Sequence, residues 1–288
     1  MPSHRLHRVE TDKFDILGYS VAGEETVIAI PGLDVCFDIG KAPEQVIPIN
    51  NMLLTHGHID HTSGIAYYLS HRQFCDQRPG TVYGDKFVVE HIERLAELWG
   101  ELDGSRIPAK YEAVEEGKYY RIKQNLFIVP FKTRHNHDSW GYTIVERRKK
   151  LRSEYLGLDQ KAIVKLKNEG VNLTVGIEIP LVSFTGDTAF APYWENALVR
   201  DSEVLIIECT FFEPDHKEKA KAGKHLHITE LAEMLAQMNN KKIVLTHFSQ
   251  RTHIRDAKKR LEEVMPAYIF EKTVILMDYG RQNSKKEN

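Results

Sequence analysis

The segment His56-Gly-His58-Ile-Asp60-His61 constrains this chain more than any other. Three imidazoles and a carboxylate fall within six residues, directly behind the strand-like run NMLLT at 51–55. In an extended or tightly turned segment His56 and His58 point to the same side, so both can ligate one cation. Asp60 and His61 then turn towards a second cation close by. Mixed imidazole and carboxylate donors suit Zn²⁺, with Mn²⁺ or Fe²⁺ as alternatives. The segment is therefore read as part of a metal site.

Four more apolar runs end, on their C-terminal side, in a ligating or acid–base group. LFIVPFKTR leads to His135, LVSFTG to Asp187, VLIIE ends in Glu208, and IVLT leads to His247. Parallel-type strands gather such ends along one edge of a sheet, where active sites form. His56 and His247 stand about 190 residues apart, so only folding can assemble the site.

Around these runs the chain reads as hairpins, then strands alternating with helices, then the same again. That pattern implies the α/β class, with two packed sheets and helices outside in a four-layer αββα sandwich. Residues 1–280 read as one domain, and 281–288 as a polar tail. The segment DKFVVEHIERLAELWG is amphipathic, and Val88, Ile92, Leu95 and Trp99 recur at helical spacing as a core-facing stripe. From Arg147 the chain becomes charged and weakly helical.

Composition narrows the setting. With 39 basic and 41 acidic residues the formal charge is −2, which argues against indiscriminate coating of DNA or membranes. No apolar stretch approaches the ~20 residues that span a bilayer, and the start lacks a signal-peptide apolar block. Cys36, Cys75 and Cys209 are too widely spaced for a disulfide framework. The expectation is a soluble, cytoplasmic protein without membrane contact. No GxSxG elbow, P-loop or Rossmann glycine pattern is present.

HGHIDH, the isolated His135, TGDT around Asp187 and LTHFSQR around His247 resemble the metallo-β-lactamase superfamily. Within it, Glu208-Cys-Thr-Phe211 is similar to the HEATF signature of the tRNase Z (ribonuclease Z) family, and His227-Ile-Thr-Glu to its HSTA signature. The spacing from His135 to Gly141-Tyr142 also matches. The resemblance covers residues 14–255 and is nearest the short form of plants and some bacteria, which shares the AGEET–FDIG and KLRSEYLGL wording.

The resemblance implies the metallo-β-lactamase fold and two zinc ions. His56, His58 and His135 would hold one, Asp60, His61 and His247 the other, and Asp187 would bridge them. It further implies a phosphodiesterase that cuts precursor tRNA, leaving a 3′-hydroxyl on the tRNA and a 5′-phosphate on the trailer. Asp60 would accept a proton, and His227, oriented by Glu208, would donate one to the departing 3′-oxygen. A homodimer is implied too, in which one subunit's arm clamps RNA on the other.

The sequence departs from the family in several places. The FLGTGxxxP start and the GEGTQ stretch are absent, and Ile207 replaces the histidine of HEATF. The arm-like insertion, 147–180, is abbreviated. A dinuclear hydrolase of a small phosphodiester or thioester is accordingly the alternative activity, and an inactive RNA-binding relative a third. Lys217, Lys219, Lys221 and Lys224 form a basic run at the expected site mouth. Two assignments have neighbours in competition: His137 beside His135, where the spacing to Gly141-Tyr142 favours His135, and His225 beside His227, where the following helix favours His227.

Overall fold

A computed structural model of the protein describes residues 6–278; the expected tail at 281–288 lies outside the described residues. The hairpin-spaced runs at the start pair as β1 (His7–Glu10), β2 (Asp15–Val21), β3 (Glu25–Ile30) and β4 (Val35–Ile39), all antiparallel. Three parallel strands complete this sheet: β5 (Asn51–Leu53), β6 (Gly80–Gly84) and β7 (Ala109–Ala113).

The second sheet holds β8 (Tyr120–Arg121), β9 (Leu126–Lys132), β10 (Trp140–Leu151), β11 (Thr174–Phe184), β12 (Val204–Glu208), β13 (Lys242–Thr246) and β14 (Thr273–Ile275). Its order across the sheet is the sequence order reversed, β14 to β8. Strands β11 to β14 run parallel, and β9 shares their direction because β10 is antiparallel to both β9 and β11.

The helices are α1 (Ile59–Thr62), α2 (Ile65–Phe74), α3 (Lys86–Asp103), α4 (Gln160–Asn168), α5 (Ala197–Arg200), α6 (Lys217–Gly223), α7 (Ile228–Leu235), α8 (Ile254–Val264) and α9 (Ala267–Phe270). Three apolar layers separate these elements. Phe37, Leu53, Ile128, Tyr142, Phe184, Ile206 and Val244 fill the space between the sheets. Cys36, Met52 and Val82 meet α2 and α3 through Tyr68, Leu69, Val89 and Ile92. Leu205, Ile207 and Leu245 meet α7 and α8 through Leu231, Leu235 and Leu261. Three such layers make an αββα sandwich of the α/β class, as the pattern of runs implied. Among the described residues, no helix is long and apolar enough to cross a membrane.

Two expectations need correction. Helix α3 is present, but its buried face is Val88, Val89, Ile92 and Ala96, whereas Leu95 and Trp99 are 47% and 54% exposed. The sheet takes the side of the helix rotated towards Val89 and Ala96, and this leaves Leu95, Leu98, Trp99 and Leu102 as an apolar face on the surface. The charged stretch 147–151 is not helical either. It continues β10 and pairs with 174–178 of β11, beyond the point where β9 ends. The outcome is a projecting two-stranded ribbon carrying exposed Lys149 and Lys150, capped by α4, which buries no side chain.

Phe184 lies at the centre of the inter-sheet layer, 1% exposed, with its ring 5.3 Å from that of Phe37. Phe184→Ala should cost about 3–5 kcal/mol, read as a lower denaturation midpoint at unchanged slope.

Candidate metal centre

The strand ends meet where the runs implied. β5 leads through Thr55 to His56 and, at the start of α1, to His58, Asp60 and His61. From the second sheet, β9 delivers His135, β11 delivers Asp187 and β13 delivers His247. The turn before Asp187 needs its glycine: Gly186 has φ +60°, and a Cβ there would lie 2.8 Å from that of Thr55. His247 itself adopts a left-handed φ of 59°, uncommon for a residue with a side chain. Its backbone N–H is anchored by Ser20 Oγ at 3.0 Å.

Asp187 is the hub. Its Oδ2 lies 3.2 Å from Nε2 of His247, 3.4 Å from that of His61 and 3.8 Å from that of His56. Asp60 Oδ2 lies 3.7 and 3.8 Å from His61 and His247. His56, His58, His135 and Asp187 can each bring a ligand atom within 4.8 Å of the others, and so can Asp60, His61 and His247.

The neighbours of each ring fix its tautomer. Nδ1–H of His56 donates to Thr55 Oγ1 at 3.0 Å, because that hydroxyl itself donates to Asp38. Nδ1–H of His61 donates to Asp38 at 2.7 Å, that of His135 to the Lys224 carbonyl at 3.1 Å, and that of His247 to Thr210 Oγ1 at 3.1 Å. The Nε2 atoms of these four rings are thereby turned inward, whereas His58 has its Nε2 against the Asn136 amide at 3.0 Å and turns Nδ1 towards His135. Nε2 of His56, His61 and His247 are buried and make no hydrogen bond. Orphaned buried acceptors of this kind cost about 1–3 kcal/mol each unless a cation meets them. The donor set therefore suits a borderline cation such as Zn²⁺.

Charge follows the same logic. Burial holds His56 and His135 below the ordinary imidazole range, in the neutral form that ligates. Burial opposes ionisation of Asp187, but His247 and His61 outweigh it and hold the carboxyl well below its usual range. Asp60 is likewise held down, its burial outweighed by the neighbouring imidazoles of His247 and His61.

Residues 29–248 match the β-lactamase superfamily domain. The chain is 32% identical to tRNase Z TRZ1 of Arabidopsis thaliana over 90% of this chain and 93% of that protein. It is 33% identical to the chloroplastic tRNase Z TRZ2 of the same plant, over 91% of this chain and 75% of that one. The chain belongs to the tRNase Z family. Its fold also matches the metallo-β-lactamase fold protein YhfI of Bacillus subtilis, with TM-score 0.62 over 89% and 92% of the two chains at 14% identity.

Around this family centre one expected pair is not formed. His227 does not reach Glu208. Its ring lies 2.9 Å from Thr229 Oγ1 and 3.0 Å from the Glu213 carbonyl, and it caps the N-terminus of α7. The helix that favoured His227 is what removes it, because the first turn needs an inward acceptor. His225 stands at Glu208 instead, with Nδ1–H donating to Oε1 at 2.8 Å. The His225 ring stacks on His247 at 5.1 Å and lies 4.9 Å from His135. Burial pulls its pKa down, yet the facing Glu208 carboxylate outweighs burial and pushes it up to about 9.

Glu208 accepts three further hydrogen bonds, from Thr188 N, Leu226 N and Thr210 Oγ1. The other competitor, His137, is exposed and turned towards Phe87 at 6.3 Å, away from the ligand cluster.

Asp38, Thr55 and Thr210 escaped the sequence reading. Asp38 carries the signal that found the ligands, an acid closing an apolar strand, here β4. Asp38→Asn, which keeps the shape and removes the charge behind His61, should weaken zinc affinity by about 10- to 100-fold in competition with a chromogenic chelator. Unaltered affinity would show that Asp38 does not support the ligand.

Proposed function

We propose that the chain is a dizinc endoribonuclease that removes 3′ trailers from precursor tRNA, leaving a 3′-hydroxyl on the tRNA and a 5′-phosphate on the trailer. One observation carries this beyond family membership: a charged carboxylate–imidazole pair, Glu208 and His225, stands against a cluster of seven ligating side chains. His56, His58 and His135 would hold one Zn²⁺, Asp60, His61 and His247 the other, with Asp187 shared; Mn²⁺ or Fe²⁺ suit the same donors. Bound there, such ions polarise a phosphoryl oxygen and lower the pKa of water.

The chain's own residues do the rest. Asp60 is ionised and half-buried at the edge of the cluster, placed to accept a proton. His225, protonated at neutral pH and held by Glu208, donates its Nε2 proton to the departing 3′-oxygen. Glu208 keeps that imidazole aimed and its charge balanced, and Thr210 ties the same carboxylate to ligand His247.

Substrate grip is assigned to two basic surfaces. Lys217, Lys219 and Lys221 are exposed on α6, which leads to Lys224, whose carbonyl holds His135. They lie at the site mouth and suit RNA phosphates. The ribbon with Lys149, Lys150, Lys161, Lys165 and Lys167 is the abbreviated arm. Its tip is the end of β11 opposite Asp187, about 35 Å along the strand for eleven extended residues. At that distance it serves the site of a second subunit, which supports a homodimer. The exposed Leu95, Leu98, Trp99 and Leu102 face offers the apolar surface for the pairing. The three unpaired thiols suit the reducing cytoplasm.

Incubation of the zinc-loaded protein with a labelled precursor tRNA should release the trailer in one cut. Hydrolysis of bis(p-nitrophenyl) phosphate with the RNA left intact would favour the small-substrate alternative. His225→Ala should retain the metal and slow trailer release by about 10²–10⁴-fold. His227→Ala should cost about 1 kcal/mol of stability with little change in rate, and the opposite ranking would return the proton-donor role to His227. Leu98→Glu should convert a dimer to a monomer in light scattering and depress tRNA cleavage more than small-diester hydrolysis.

A further inference from the structure

Phe87, in the first turn of α3, is 54% exposed although its neighbours Val88 and Val89 are buried. Hydrogen bonds hold its backbone on both sides. The Phe87 backbone N–H donates to Asp85 Oδ1 at 2.9 Å, and the other oxygen of Asp85 accepts Trp140 Nε1–H at 3.1 Å. His91, one turn on, donates Nδ1–H to the Phe87 carbonyl at 2.7 Å, which brings the two ring centroids to 4.0 Å. The His137 ring stands 6.3 Å away at 61°, and both histidines are exposed.

This aromatic group adjoins the metal cluster. His137 is two residues from ligand His135, and Asn136, between them, touches the Nε2 of His58 at 3.0 Å. A side chain at Gly57, which stands between two ligands, would come within 3.6 Å of Val88 and Asp138. No core packing accounts for three exposed rings, two of them tied by hydrogen bonds, beside this cluster.

We infer that Phe87, His91 and His137 form a stacking platform for an unpaired nucleobase, that of the first trailer nucleotide. This rests on the RNA reading above and adds the position of one base. The strand polarity follows from His225. The departing 3′-oxygen belongs to the last tRNA nucleotide and must lie at His225. The other bridging oxygen of the same phosphate leads into the trailer. His135 touches His225 on one side, at 4.9 Å, and His58 on the other, at 5.0 Å. Asn136, beside His137, reaches His58, which puts the Phe87 group on the His58 side, so it receives the trailer. Aromatic stacking tolerates every base, as a cleaver of varied trailers needs.

The platform end of α3 is distinct from its apolar face, since Phe87 and Leu95 stand about 12 Å apart along the helix axis.

The test is a double cycle on the zinc-loaded full chain, combining Phe87→Ala with a precursor tRNA abasic at the first trailer position. Each change alone should lower kcat/KM by about tenfold or more, chiefly through KM. Together they should lower it no further than either alone, and Phe87→Trp should restore the loss. In the His225→Ala background, 2-aminopurine at that position should be quenched on binding, and Phe87→Ala should abolish the quench.

Additive losses, or a quench indifferent to Phe87, overturn the platform while the cleavage reading stands. A change of oligomeric state in Phe87→Ala also overturns it, since a second copy would then cover the ring. Failure of the unaltered enzyme to cut the precursor overturns the RNA reading and the platform with it.

Discussion

One buried carboxylate organises this molecule. Asp187 is 3% exposed and sits among imidazoles from three separate stretches of chain, His56 and His61, His135, and His247. A lone ionised carboxylate in such a place would be very costly, so it survives only where positive charge surrounds it. Both sheets contribute. The first brings His56, His58, Asp60 and His61 on the loop after β5, and the second brings His135, Asp187 and His247 from three strand ends. The αββα sandwich therefore positions its chemistry at a seam between layers, and neither layer owns the site.

The seam is held by groups one step further out. Asp38 and Thr55 brace the first sheet's histidines, Thr210 and Glu208 those of the second, and Ser20 fixes the left-handed turn at His247. A non-glycine residue in that conformation persists only where its surroundings over-determine it. The strain sits at His247, where the backbone must reverse to aim a ring into the cluster. The same outer groups connect the histidine–aspartate cluster to His225, because one carboxylate, Glu208, accepts from both Thr210 and His225.

Much of this was legible in the residues. Apolar runs closing on His, Asp or Glu identified the strand ends, because a strand's terminus is where polarity becomes affordable again. His56, His135, Asp187 and His247 were found that way, and the layered fold followed from the alternation of elements. The choice between His225 and His227 was not legible. Both lie in one short polar segment, and what separates them is a helix cap that claims one ring and a turn at Lys224, φ 54°, that delivers the other. The orientation of α3 was hidden because two overlapping apolar stripes share the helix and spacing alone does not say which one the sheet covers. The ribbon was hidden by its charges, since its pairing partner lies more than twenty residues downstream.

The separation between the first and last ligands has a consequence for synthesis. A ribosome adds residues in order, and His247 follows His56 by some 190 positions. Until β13 has emerged and docked, the nascent polypeptide holds only fragments of its cutting centre. A copy that still lacks β13 is thus harmless to the RNA around it, and the blade is completed only once that strand has docked.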